Sequence, residues 1–133
     1  MINPTSVLFV DDNDAFVSVC TICLEASGFD VSQAHSGREA IDQSVFREFA
    51  VAIVDLNMPD LDGTATIAAH LDRRPSLRII AISCGTLSPH FARLSALGVR
   101  HFISKPLKLD DLVGDIHDLL DPMGPVGLGA QAA

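Results

Sequence analysis

Apolar residues recur along this chain in two rhythms. Val7-Leu-Phe-Val10, Val51-Ala-Ile-Val54 and Ile79-Ile-Ala-Ile82 are short unbroken runs, which suit strands covered on both faces, as in a parallel sheet. Phe29-Asp-Val31-Ser-Gln-Ala34 alternates, and residues 100–104 make a fifth strand-sized stretch. Between these strands the period becomes helical. Phe16, Val17, Cys20, Cys23 and Leu24, with Gly28 past them, predict a first helix over residues 14–27. Ser36 and Glu39 read as a capping box opening a second, with Ala40, Ile41, Val45 and Phe46 on its inner side. Ile67, Ala68 and Leu71 predict a third that closes before Pro75, and Phe91, Leu94 and Leu97 a fourth stopped by Gly98. In the fifth, Leu109, Leu112, Val113, Ile116, Leu119 and Leu120 form a stripe opposite Asp110, Asp111, Asp115 and Asp118.

Five strands alternating with five helices imply right-handed crossovers and an α/β fold. The expected form is a doubly wound five-stranded parallel sheet with helices on both faces, flavodoxin-like in outline. The chain has 133 residues, long enough for one domain to bury a core without disulfides or structural metal. That domain is expected over residues 1–121. Residues 122–133 are rich in Gly and Pro and carry little pattern, which predicts a disordered tail or a linker stub.

Charge narrows the partners. Nine Lys and Arg against seventeen Asp and Glu leave a net charge of -8, which argues against direct binding to nucleic acid or to an anionic membrane. The longest apolar runs are strand-sized and no charged-then-apolar leader precedes them, so neither a membrane span nor a signal peptide is expected, and a cytoplasmic location is. Three cysteines, an odd number, read as reduced thiols. Cys20-Thr-Ile-Cys23 has the C-x-x-C form, but it falls mid-helix with no second ligand pair, so both are expected to act as small apolar residues. The five histidines show no metal spacing and are expected at the surface.

The chemistry collects at the ends of the strands. Asp11 and Asp12 follow the first, Asp55 closes the third ahead of a loop through Pro59 to Gly63, Ser83 closes the fourth and Lys105 the fifth. In an open α/β sheet these ends line the ligand crevice, and in the order 2-1-3-4-5 those four strands are neighbours. At a spacing of roughly 4.8 Å between strands, the five side chains can surround one small ligand. Three acids so close repel one another, which a hard divalent cation relieves. Mg²⁺ suits best, because it takes one or two carboxylates and shares itself with a phosphate. A Ca²⁺ loop is the rival, yet neither Asp12-Asn-Asp14 nor Asp60-Leu-Asp62 continues with the Gly and distant Glu it needs. Lys105 and Ser83 suit phosphoryl oxygens, one by charge and one by a hydroxyl.

These residues, in this order and each at a strand end, resemble the receiver domain of two-component response regulators over about residues 5–120. The strand order above is taken from that resemblance as well as from the pattern. The resemblance implies a phosphorylation switch. Asp55 would take a phosphoryl group from a histidine kinase or phosphotransfer protein. Mg²⁺ would be held by Asp12, Asp55 and the backbone carbonyl of Asn57, with Asp11 orienting a metal-bound water. Lys105 would neutralise the transferring group. Ser83 would swing toward it, and Phe102 would move inward after it. The surface of the fourth helix, fifth strand and fifth helix would change in consequence, toward a downstream protein, an attached output domain or a second copy in a homodimer. Many relatives carry Thr where Ser83 stands and Tyr where Phe102 stands. Ser keeps the hydroxyl, whereas Phe lacks one, so a hydrogen bond that would pin the inward state is missing. Two other functions stay open. One is a receiver that only docks proteins; the other is a phosphohydrolase of the haloacid dehalogenase type using Asp12 and Asp14.

Overall fold

All five residues of β3 (Val51–Asp55) are buried, because the strand runs through the middle of a sheet with helices on both sides. The structure, a computed structural model, describes residues 4–58, 62–83 and 88–121. Along the chain come β1 (Ser6–Val10), α1 (Asp14–Ala26), β2 (Asp30–Ala34), α2 (Gly37–Phe46), β3, α3 (Gly63–Arg73), β4 (Arg78–Ser83), α4 (Ser88–Ala96), β5 (His101–Ser104) and α5 (Leu109–Leu120). All strand pairs are parallel and the order is β2-β1-β3-β4-β5. The α/β fold and its strand order are those expected from the sequence. Among the described residues no helix is long and apolar enough to cross a membrane.

The unbroken apolar runs follow from the pleat. Successive side chains point to opposite faces, and each face has its own core. Leu8, Val10, Ala52, Val54, Ile79 and Ala81 pack with Ala40, Ile67 and Leu94 of α2, α3 and α4. Val7, Phe9, Val51, Ile53, Ile80 and Ile82 pack with Val17, Cys20, Leu24, Leu112 and Ile116 of α1 and α5. At about 25 cal/mol per Å² each such Val, Leu, Ile or Phe side chain contributes about 1.5–3 kcal/mol on burial. Gly28 and Gly98, expected as helix stops, sit just past α1 and α4 at φ +98° and +95°, which is left-handed backbone that suits glycine.

Three expectations need correction. The inner side of α2 is Gly37, Ala40 and Ser44, while Val45 and Phe46 are exposed, Phe46 by 90%. The helix is so short, and its packing so close on α3, that small residues face inward. Its cap also differs from a full capping box. Ser36 Oγ accepts the Glu39 N–H at 3.0 Å, but the Glu39 carboxylate accepts the His35 N–H at 3.2 Å, one residue upstream of the cap. Lastly, His70 is not at the surface. It is only 3% exposed, on the inward side of α3 with Ile67, and burial, with Arg73 adding to it, lowers its pKa from the ordinary 6.5. The expected tail at 122–133 and the loop residues 59–61 and 84–87 lie outside the described residues.

Candidate functional site

The neighbouring strands β1, β3, β4 and β5 each stop at the carboxyl edge of the sheet and leave a polar residue there. The Asp11 N–H donates to the Ala34 carbonyl at 3.1 Å, the Leu56 N–H to Ile82 at 2.8 Å and the Lys105 N–H to Ser83 at 2.7 Å. The ladder thus continues just past the strands and sets Asp11, Asp55, Ser83 and Lys105 along one line. Asp11 and Asp55 are then oriented identically. Asp11 Oδ1 accepts the Asn13 N–H and Asp55 Oδ1 accepts the Asn57 N–H, both at 2.9 Å. These Asx-type turns spend one oxygen of each carboxylate on the backbone. The other oxygens turn toward Lys105, whose Nζ lies 2.7 Å from Asp11 Oδ2 and 3.7 Å from Asp55 Oδ2.

Asp11 is fully buried, Asp55 nearly so at 3%, and Asp12 is exposed. One oxygen from each of the three lies within 4.8 Å of the others. Burial pushes the Asp55 carboxyl above the ordinary carboxylate range; the Asn57 N–H pulls it down, Asp11 pushes it up again, and Lys105 only partly offsets this. Three hard oxygen donors, two in a buried floor and one open to solvent, fit Mg²⁺, which holds few carboxylates and retains water. Asp14 does not join them. Its side chain is 86% exposed and its Oδ1 is 3.4 Å from His35 Nε2, so a D-x-D loop of the phosphohydrolase type does not assemble.

Gly63, at the start of α3, lies against the backbone at the end of β3. A Cβ there would stand 2.3 Å from the Asp55 carbonyl oxygen and 2.5 Å from Leu56 Cα; only hydrogen fits. Asp62 caps the same helix, accepting the Ala65 N–H at 2.8 Å.

Ser83 is fully buried, and its hydroxyl donates to Asn57 Oδ1 at 3.2 Å. Phe102 is half-buried and packs against Phe91 of α4, ring centroids 5.1 Å apart and tilted by 41°. The candidate residues of the receiver reading thus occupy this edge or, for Phe102, the strand leading to it. Three partnerships were not foreseen: the Asn57 carboxamide on Ser83, Asn13 on the Phe16 N–H at 3.0 Å, and the Phe16 ring 4.5 Å beneath Lys105 Nζ. Only Asn13 carried a signal, as a capping residue just before α1. Cys20 lies close enough to Asp11 and Lys105 to feel both, and burial pushes its thiol up to about 11. It is a neutral, inert thiol at ordinary pH, as the mid-helix position suggested.

A five-stranded parallel sheet of this order, with an acid group and a lysine at its carboxyl edge, defines a doubly wound α/β protein whose candidate site lies at the carboxyl ends of its strands. The comparisons make the class specific. The family model of the response regulator receiver domain matches residues 7–117, and the chain belongs to that family. Among curated proteins it is 31% identical over 110 residues to the photosynthetic apparatus regulatory protein RegA of Rhodobacter capsulatus, covering 80% of this chain and 58% of that one. It is 32% identical over 108 residues to the acid tolerance regulatory protein ActR of Rhizobium meliloti, covering 81% and 56%. The chain spans between about a quarter and three-fifths of the curated regulators it matches. Among solved structures, a CheY-like receiver domain protein from Methanospirillum hungatei superposes with a TM-score of 0.83 at 24% identity, covering 86% of this chain and 91% of that one. A Burkholderia pseudomallei response regulator with a phosphorylated aspartic acid and a calcium ion gives 0.80 at 26%, covering 97% and 73%.

Proposed function

We propose that Asp55 is the phospho-acceptor of a signalling switch, supplied by a histidine kinase or phosphotransfer protein. The observation that carries this reading is the buried Asp55 carboxylate, set in an acid group with one oxygen directed to the Lys105 ammonium. In the reaction an Asp55 carboxylate oxygen attacks the phosphorus of a phosphohistidine in line. The new P–O bond forms as the P–N bond breaks, and its electron pair stays on the imidazole nitrogen. Asp12, Asp55 and the backbone carbonyl of Asn57 would hold Mg²⁺, with Asp11 orienting a water on it; when bound, the ion neutralises charge on the transferring phosphoryl group. Lys105 adds a second positive charge from the protein side. Partly buried beside the buried Asp11 and Asp55, it acts where the effective dielectric is lower than in water and that charge counts for more.

Phosphorylation then gives Ser83 a better acceptor than Asn57 Oδ1. A charged phosphoryl oxygen makes roughly twice as strong a hydrogen bond as a neutral amide oxygen. As the hydroxyl leaves Asn57, Phe102 leaves Phe91 and follows it inward. The α4, β5 and α5 surface changes shape, and a downstream protein, an attached output domain or a second copy reads the change.

The test is intact mass after incubation with acetyl phosphate, with and without Mg²⁺, beside Asp55→Asn. A metal-dependent gain of one phosphoryl group, absent from the variant, is expected. Addition that survives Asp55→Asn overturns the assignment of the acceptor. Absence of any adduct or released phosphate leaves the docking-only receiver as the function.

A further inference from the structure

Two acids and one aromatic ring among the described residues hold Lys105. Its Nζ lies 2.7 Å from Asp11 Oδ2, 3.7 Å from Asp55 Oδ2 and 4.5 Å from the centroid of the Phe16 ring. The ring is itself fixed. It meets Phe9 of β1 edge-on, centroids 5.9 Å apart at 63°, and its backbone N–H donates to Asn13 Oδ1, whose own N–H donates to Asp11 Oδ1. Asp11, Asn13, Phe16 and Lys105 therefore form a closed circuit, in which the turn that aims the carboxylate also aims the ring.

We propose that Phe16 is a positioning residue for Lys105, its aromatic face holding the ammonium at the site when the carboxylates are engaged elsewhere. This rests on the phospho-acceptor reading. During transfer, Asp55 must present an oxygen to phosphorus, and the acid group has a cation to hold. Both weaken its grip on Lys105. A further acid in place of Phe16 would hold the ammonium more strongly, but it would compete with the phosphoryl oxygens and add a fourth negative charge to a crowded site. A π face attracts the ammonium without either penalty, and leaves its N–H groups available to an incoming oxyanion.

The experiment is a double-mutant cycle on the initial rate of acetyl phosphate addition with saturating Mg²⁺. Phe16→Leu, which keeps apolar bulk and removes the ring face, is expected to slow the native chain roughly 3- to 10-fold. Phe16→Tyr, which keeps the ring, is expected to stay within about twofold of it. In a Lys105→Met background the Phe16→Leu change should leave the residual rate unaltered, since there is no ammonium to position. An equal loss with and without Lys105 overturns the proposal, because it means that Phe16 acts by packing alone. If Phe16→Leu does not fold, Phe16→Met, longer and more adaptable, replaces it. A second readout needs no phosphorylation. The ε-methylene protons of Lys105 should be shifted upfield by the ring current in the native chain, and should lose that shift in Phe16→Leu. If the shift is absent from the native chain, the proposal is overturned whatever the rates are. If the shift is present but no chain gains a phosphoryl group, the acceptor reading fails, and a positioning role in phosphoryl transfer fails with it.

Discussion

Replacing Asp55 by Asn should make the protein more stable, although it removes the proposed phospho-acceptor. Asn keeps an oxygen at the Oδ1 position to accept the Asn57 N–H, so the turn after β3 survives. Lys105 keeps its closer partner, Asp11 at 2.7 Å, so the ammonium is not left unpaired. What disappears is a carboxylate that is 3% exposed and close to Asp11 and Asp12. Burying an ion costs several kcal/mol, partly offset here by Lys105 and the backbone N–H, so the net gain is about 1–3 kcal/mol. For a chain of this size that is a rise in Tm of about 4–12 °C. The pH dependence follows from the direction of the shift. Because burial raises the Asp55 pKa from the ordinary 3.8, the unfolded chain ionises first as pH rises, and the native chain loses stability from there up through its raised value. The advantage of Asp55→Asn should therefore be near zero below about pH 3.5, grow above it and level off toward neutrality. Thermal melts in EDTA across that range measure it. Coincident melting curves at neutral pH would refute the argument, since they would mean that the three acids do not strain one another. Mg²⁺ should then raise the Tm of the parent more than that of the variant, by about 2.7 kcal/mol of stabilisation at a concentration 100 times Kd.

Two further predictions concern the frame around the site. Gly63→Ala should cost about 2–3 kcal/mol, because the Cβ would meet backbone atoms of Asp55 and Leu56 that have no room to give; a urea midpoint matching the parent would show that the α3 start can move aside. His70, buried with a lowered pKa, must shed its proton to stay in the core. Its contribution is present above the ordinary 6.5 and is lost as pH falls through that value toward the lower native one. His70→Leu should accordingly lose less stability between about pH 7.5 and 5.5 than the parent does, and parallel urea midpoints for the two would contradict a neutral, buried imidazole.

Much of this was readable from the chain because it is local. The runs at Val7, Val51 and Ile79 mark strands covered on both faces whatever surrounds them. An acid, a serine or a lysine directly after such a run must lie at the strand's carboxyl end. Parallel pairing of the strands then brings those ends to one edge. The packing face of α2 was misread because Ile41, Val45 and Phe46 look like a core stripe, while the small residues Gly37, Ala40 and Ser44 let the helix approach α3. His70 was misplaced for a related reason: composition ranks histidine as a surface residue, and only its register with Ile67 turns it inward.

Sequence alone thus determined the fold class, the order of elements and the five side chains at the carboxyl edge, since each depends on a residue and its near neighbours. Tertiary structure alone decided how those side chains face one another. The Lys105 ammonium between Asp11 and Asp55, the hold of Asn57 on Ser83, and the Phe16 ring beneath Lys105 join residues 26 to 94 positions apart in the chain. Local periodicity carries no information at such separations, because those contacts exist only once β1, β3, β4 and β5 lie side by side.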